Sequence, residues 1–433
     1  MILTSSKLPI HELKFCTKLR ILIVTPFFPP AWSYGGPVRV TYDHACELAK
    51  RGHAITIATT DVFDAKNRFS GPTNQLITQS IGESISQSKN QKTIPMHREE
   101  NQLAIIRFHN ISNFFAKQNL YLPFGFSKWL KKNINNFDLI HLHDYHTALN
   151  ITAIKIAKKN KIPLVLTGHG NIVPHSNRGR ATIKKIFNFI WGRKILQTVN
   201  KILALSQKEK NELINFGIPE KKIAIVPNGI NLEEFQNLST TNTFRKKFNL
   251  SSSSRIILFL GRLQKIKNPS LLVQAFTLLQ SKIPNLQLIF AGPDEGEQSK
   301  LEQLIQKLNL NSTVIFTGIL SGLQKSMALK SADILVLPSH DEPFGLVLLE
   351  ALAAGTPIAV SETVGLADEF VKAKAGEKFS LTPNSLANAI NKILTDKNYS
   401  AKIVLNGQKL LREKFTTQKI AEQLEKIYFE ILK

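Results

Sequence analysis

The stretch Ala332-Asp-Ile-Leu-Val-Leu-Pro-Ser-His-Asp-Glu342-Pro-Phe-Gly345-Leu-Val-Leu-Leu-Glu350-Ala-Leu-Ala-Ala-Gly-Thr-Pro-Ile-Ala-Val360 reads in turn as strand, loop, helix, turn and strand. From Leu346 to Ala354 every helical face is apolar, so the helix belongs in a core. It nevertheless carries Glu350, and Glu342 stands in the loop before it. A carboxylate in an apolar helix is costly unless something pairs with it. The loop Pro343-Phe344-Gly345 runs into the helix start, where free N–H groups and the helix dipole favour a phosphate and Gly345 permits close approach. Seven residues separate the glutamates, one ahead of the helix and one in its second turn. Both can hydrogen-bond hydroxyls of a ligand whose phosphates lie at the helix start.

Upstream lies Phe259-Leu-Gly261-Arg262-Leu-Gln-Lys265-Ile-Lys267-Asn268-Pro269. A strand ends at Gly261, and Arg262 and Lys267 precede a helix with Asn268 as its cap and Pro269 at its first position. Two cations beside a helix N-terminus suit a diphosphate. They can neutralise a diphosphate leaving group without a metal ion. Lys265 rivals Lys267, and a solvated basic loop is the plain alternative. Gly35-Gly36 follows Thr25-Pro-Phe-Phe-Pro-Pro at a strand-to-helix junction. Paired glycines there allow close ligand approach, or simply a turn. They do not form the dinucleotide fingerprint, since Pro37 follows. His169, between Gly168 and Gly170 at a strand end, can donate a hydrogen bond to a sugar hydroxyl or serve structure alone. His141, His143 and His146 with Asp144 suggest a metal set, but no distant ligand completes it and no metal is expected.

Strand and helix signals alternate along the whole chain, which predicts parallel sheets covered on both faces. At 433 residues two domains are expected. The fold class is therefore α/β, two tandem Rossmann-like doubly wound domains facing a cleft. Residues 1–235 form the first domain, 236–255 a polar linker, 256–415 the second domain, and 416–433 a terminal amphipathic helix. Residues 70–101 are polar and interrupt the pattern. Ligands of such sheets bind at the carboxyl ends of the strands, where all of the residues above fall.

Two cysteines without metal or disulfide spacing suit a reducing compartment. No secretory signal and no membrane-length apolar run appear, so a cytoplasmic location is expected. The net charge of +24 favours an anionic partner: nucleic acid, phospholipid surface or phosphorylated substrate. No nucleic-acid module is recognisable, and such a role leaves Glu350 unexplained. The basic, aromatic-bearing stretch 178–201 can lie on an anionic membrane or pack on its own sheet.

Taken together, Gly35-Gly36, Thr167-Gly-His169-Gly, Val226-Pro-Asn-Gly-Ile230, Gly261-Arg262 to Lys267-Asn, Ala332-Asp to Pro338-Ser, and Glu342-Pro-Phe-Gly to Glu350-Ala-Leu-Ala-Ala-Gly-Thr-Pro follow one order across nearly the whole chain. In this the chain resembles family 4 glycosyltransferases, which have the two-domain GT-B fold. The resemblance implies that Arg262 and Lys267 bind the diphosphate of a nucleotide sugar and that Glu350 holds the ribose hydroxyls. It implies that Glu342 contacts the donor sugar, with backbone contacts from Phe344, Gly345 and Leu346 to sugar and phosphate. Gly261 would belong to the same donor site. His169 would sit by the donor sugar, and the Gly35-Gly36 loop near phosphates and acceptor. It further implies retention of anomeric configuration, no metal, no cofactor beyond the nucleotide-sugar co-substrate, and a last helix crossing back to the first domain. The acceptor is expected to be a lipid-linked or cell-envelope saccharide, with a soluble disaccharide or sugar phosphate as the alternative. Relatives often carry a paired-glycine turn and Pro-Glu after the strand ending at Ser361; here Val364-Gly365-Leu-Ala-Asp-Glu369 stands instead, and it receives no role.

Overall fold

The structure, a computed structural model, describes residues 18–64, 67–70, 74–77, 103–111, 121–173, 187–236, 242–320 and 322–433. Two sheets organise them. The first contains β1 (Arg20–Val24), β2 (Ala54–Thr60), β3 (Asn74–Ile77), β4 (Leu103–Phe108), β5 (Leu139–His143), β6 (Leu164–Thr167), β7 (Lys201–Ala204) and β8 (Ile223–Ile225). Its order is β3-β4-β2-β1-β5-β6-β7-β8, parallel except for β3 at the edge. The second contains β9 (Arg255–Leu260), β10 (Leu286–Ala291), β11 (Val314–Gly318), β12 (Ile334–Leu337), β13 (Ile358–Ser361) and β14 (Glu377–Phe379), in the order β11-β10-β9-β12-β13-β14 and parallel throughout. Strand order reverses at β1/β5 in one sheet and at β9/β12 in the other, which opens a crevice at each.

The strands read as unbroken apolar runs because both faces are covered. Alternation sorts the side chains. Leu22 and Val24 of β1 pack on one face with Ile140 and Leu142, while Ile21 and Ile23 pack on the other with Leu48 and Ala49. The helices that position the site are α1 (Gly36–Lys50), α2 (Gln207–Asn215), α3 (Pro269–Gln280), α4 (Leu323–Ser331), α5 (Leu346–Ala354) and α6 (Thr417–Leu432).

The sequence pattern concealed two elements. Within the polar stretch 70–101, residues Asn74–Ile77 form the antiparallel edge β3, and β4 follows it. Within the basic stretch 178–201 the described residues hold a π-turn, Asn188–Gly192, continued by the helix Arg193–Thr198, while residues 178–186 lie outside the described residues. Between the sheets, the helix Asn242–Lys247 places Phe244 in the second core.

The last helix, α6, lies on α1. Leu424 and Tyr428 are wholly buried in the first half, and Glu425 pairs with both Arg51 and His53. The chain returns beside the Asn228-Gly229-Ile230 turn. Ile230 N–H donates to Phe415 O at 2.7 Å and Thr417 N–H to Ile230 O at 3.2 Å. A Cβ on Gly229 would stand 2.9 Å from Thr417 Cα, so that crossing admits only glycine.

Candidate active site

Helix α5 begins at Gly345, whose left-handed backbone (φ 87°) turns the loop into the helix. A Cβ there would meet Leu348 Cδ1 at 2.9 Å, Leu337 Cδ2 at 3.2 Å and Val364 Cγ1 at 3.3 Å, so both conformation and space require glycine. In the first turn of α5 the Leu348 N–H donates to Gly345 O at 2.9 Å, while the N–H groups of Leu346 and Val347 come too early in the helix for an intrahelical partner. Phe344 buries its ring in the second core, against Phe415. Leu346, half-buried, starts the helix.

The two glutamates each meet a lysine. Glu342 pairs with Lys267, which reaches it from the 3-10 turn Lys265–Lys267 ahead of α3. The backbone locks the two loops together, because His340 N–H donates to Ile266 O at 2.8 Å. Of the rival lysines, Lys267 makes the contact, while Lys265 is exposed. Glu350 is buried, as an apolar helix requires, and pairs with Lys325 of α4. The sequence pattern did not reveal that partner.

Arg262 departs from the expected picture. It sits at the end of β9 as anticipated, but its side chain is 54% exposed and pairs with Glu295 at 3.0 Å rather than joining Lys267. Gly261 precedes it, held by N–H donation to Ala291 O at 2.9 Å. Gly292 presses close, since a Cβ on it would lie 2.0 Å from Gly261 O.

Across the cleft, α2 presents its N-terminus. Its cap Ser206 accepts from Glu209 N–H and donates to Pro343 O at 3.3 Å. Lys208 reaches Thr363 O and lies 3.8 Å from Asp341. Buried Glu209 accepts from Leu205 N–H at 2.7 Å and from Gly170 N–H at 3.0 Å, which pins the loop carrying His169. The spacing Ser206-x-x-Glu209 is a capping-box signal present in the sequence. Gly365, which had no expected role, donates its N–H to Glu342 O at 2.8 Å.

His169 is buried at the end of β6 with φ 49°. Its Nε2 lies 3.0 Å from His143 Nδ1, which is also 3.1 Å from Thr41 Oγ1. Thr41 spends its own proton on Pro37 O. His143 Nε2 is enclosed without a partner, and a buried lone pair is better tolerated there than a buried N–H. His143 therefore donates from Nδ1, His169 accepts at Nε2, and His169 keeps Nδ1–H as its donor. His141 bonds Tyr428 OH at 2.7 Å and Thr167 Oγ1 at 2.8 Å. Among the described residues, no three His, Cys, Asp or Glu side chains are placed to share a metal ion. Gly35 and Gly36 are exposed at the start of α1, on the neighbouring strand end.

Burial lowers the pKa of His169 to about 4, and burial with the His169 charge lowers that of His44 to about 3. His44 is enclosed with neither ring nitrogen partnered. The unfolded chain takes up this proton near pH 6.5 and the folded chain only far below, so the neutral imidazole's stability contribution is lost as pH falls from 6.5 towards 3. His44→Leu removes that loss. Its stability gap over the parent protein is expected to widen by about 2 kcal/mol between pH 7.5 and pH 5. Urea unfolding at both pH values measures it, and a constant gap would contradict the buried neutral imidazole.

Residues 34–234 match the family model described as Glycosyltransferase Family 4, and residues 240–410 the model described as Glycosyl transferases group 1. The chain is 30% identical over 303 residues to an uncharacterized glycosyltransferase of Methanocaldococcus jannaschii, spanning 68% of this chain and 76% of that one. It is 26% identical over 345 residues to the alpha-monoglucosyldiacylglycerol synthase of Streptococcus pneumoniae, spanning 78% of this chain and 69% of the other. Its fold is similar to that of Anabaena HepE, solved in complex with UDP and glucose, with TM-score 0.70, 19% identity, and 95% of this chain and 100% of that one covered.

Proposed function

The chain belongs to glycosyltransferase family 4, and from that membership we propose that it moves a hexosyl group from a nucleoside-diphosphate sugar, with retention and without a metal ion, to a hydroxyl of a lipid-linked or cell-envelope saccharide. The observation that carries the reading is the meeting of Lys267 and Glu342 at the mouth of α5, with Glu350 one turn inside. In the structure these charges satisfy each other. A bound donor exchanges the pair: Lys267 turns to the diphosphate and Glu342 accepts hydroxyls of the sugar. The diphosphate rests on the first-turn N–H groups of α5, beside Gly345. Glu350, neutralised by Lys325, accepts the ribose hydroxyls without bringing an unpaired charge into the core. Arg262 leaves Glu295 to join the phosphates, a swap that its exposure makes inexpensive. Nδ1–H of His169 donates to the sugar.

The diphosphate departs onto Lys267, Arg262 and the helix end, where preorganised donors meet its developing charge. Positive charge builds at the anomeric carbon, and the acceptor hydroxyl attacks from the same face. Its proton passes to the departing phosphate oxygen. A panel of nucleotide sugars, tested with EDTA present, is expected to contain at least one that raises the melting temperature, because binding only the folded state stabilises it. A flat panel would sink the reading.

The proposed membrane-side acceptor draws on the first half's surface. Phe189 is 89% exposed and Trp191 38%. Beside Trp191 runs a groove of about 650 Å³ bordered by Lys155, Lys158, Lys161 and Lys194. Apolar rings beside several lysines suit an anionic bilayer. Arg178, Arg180, Lys184 and Lys185 of the same basic stretch lie outside the described residues. Among the described residues no helix is long and apolar enough to cross a membrane. The protein is expected to sediment with phosphatidylglycerol vesicles at moderate salt and not with phosphatidylcholine vesicles. Equal recovery in both supernatants would favour the soluble-acceptor alternative, which product analysis then identifies.

A further inference from the structure

Asp144 is the first residue beyond β5, at the crevice between β1 and β5 where the strand order of the first sheet reverses. The preceding residue, His143, is the one that touches His169. Asp144 adopts φ 61°, a left-handed backbone uncommon for a residue with a side chain. The fold enforces it. Wholly buried Asn150 donates its amide to the carbonyls of both His143 and Asp144.

So much local construction presents a carboxylate that the fold itself does not use. Its Oδ2 is closed from solvent and has no hydrogen-bond partner, although the residue as a whole is only half-buried and can be reached. Burial alone pushes its pKa up to about 7, with no charged neighbour contributing. In a chain with 56 Lys and Arg against 32 Asp and Glu, an acid in the cleft with no cation beside it among the described residues is unusual. Natural structures rarely leave a buried polar atom unpaired without a functional reason.

The chemistry of its ligand follows by elimination. A phosphate would be repelled. A metal ion would find no further ligands, since among the described residues no cluster of metal-ligating groups forms. A neutral hydroxyl fits the charge, and it can reach the carboxylate from its open side, since only Oδ2 is closed off. The nucleotide-sugar residues lie mostly on the second half, whereas Asp144 belongs to the first, across the cleft. We propose that Asp144 holds the acceptor, a neutral sugar or polyol, by accepting a hydrogen bond from a hydroxyl beside the attacking one, which aims the attacking oxygen at the anomeric carbon. This rests on the glycosyltransferase reading above. Asp144 orients, and the proton still leaves on the departing diphosphate.

Two variants separate carboxylate from backbone. Asp144→Asn keeps size and tolerance of the left-handed backbone; Asp144→Gly removes the side chain without strain. The assay uses the nucleotide sugar that stabilises the parent protein, with octyl glycosides as acceptor probes. Both variants are expected to lose roughly 30-fold in kcat/KM for the octyl glycoside, largely through KM. Donor KM and donor hydrolysis should stay within about twofold of the parent. Parent-like transfer, or a donor KM that rises in parallel, overturns the proposal. If the parent hydrolyses donor but glycosylates no probe, carbon-13 carboxyl spectra of aspartate-labelled protein decide. A resonance missing in Asp144→Asn that titrates near pH 7, and moves when octyl glycosides are added, supports the assignment; an ordinary titration near pH 4, or no response to the glycosides, ends it. A parent that neither binds nor hydrolyses any nucleotide sugar refutes the glycosyltransferase reading itself, a failure distinct from that of Asp144.

Discussion

Glu342→Ala and Lys267→Ala are each expected to lower kcat/KM for sugar transfer by roughly 100- to 1000-fold. The two residues form one unit, an ion pair between half-buried partners at the proposed donor site. On the proposed reading, removing Lys267 takes a cation from the leaving diphosphate and leaves Glu342 with an uncompensated charge next to it. Removing Glu342 frees Lys267 but strips the sugar of its acceptor. The double variant should therefore lose much less than the sum of the single losses, as coupled neighbours do. Arg262→Ala should act more mildly on binding and mainly on kcat, because Arg262 starts from an exposed pair with Glu295 and joins the phosphates only with ligand. Steady-state kinetics of the four variants settle this. Near-parental rates in both Glu342→Ala and Arg262→Ala would remove the assignment of the donor site.

Gly365→Ala should be nearly as damaging, although Gly365 touches no expected ligand. Its Cβ would stand 1.9 Å from Pro343 O and 2.8 Å from Ser206 Oγ. The backbone it would push is the one that presents Glu342, since Gly365 N–H donates to Glu342 O. The clash can be relieved only by moving the Glu342 loop or by widening the cleft towards α2. A cost of about 2 kcal/mol in folding stability is expected from such overpacking. Donor KM should rise by roughly 30-fold, since small displacements of a preorganised site are expensive. Urea unfolding and donor kinetics read both effects. A variant with unchanged donor KM would show that the Glu342 loop is not set by this contact.

The comparison of residues with coordinates has a physical pattern. Glu342, Gly345 and Glu350 were legible because one local rule, a charge in an apolar helix after a glycine loop, concentrates its signal in consecutive residues. The start of helix α1 was legible through its paired glycines, since the helix Gly36–Lys50 begins at that junction. Lys325 was not, because Leu323–Ser331 shows little apolar periodicity and its pairing with Glu350 depends on how two helices pack. Strand β4 was hidden behind a polar stretch. The role of Glu209 was partly readable as a cap, but its hold on the His169 loop is tertiary. Gly365 could not be read at all, since nothing in the sequence says that Pro343 O passes beside it. Arg262 shows the opposite error: its position at the end of β9 was legible, but a competing acid, Glu295, claims its side chain.

The return of the chain at residue 416 has a mechanical consequence. The first half's segment at Ile230 and the returning chain at Thr416 run side by side and pair as a bridge. Two neighbouring straps behave like a door hinge: they permit swinging about the line that joins them and resist both twisting and sliding. Any narrowing of the cleft around a substrate is thereby confined to one direction of travel, so the lysine and glutamate on one leaf always meet the histidine and aspartate on the other in the same alignment.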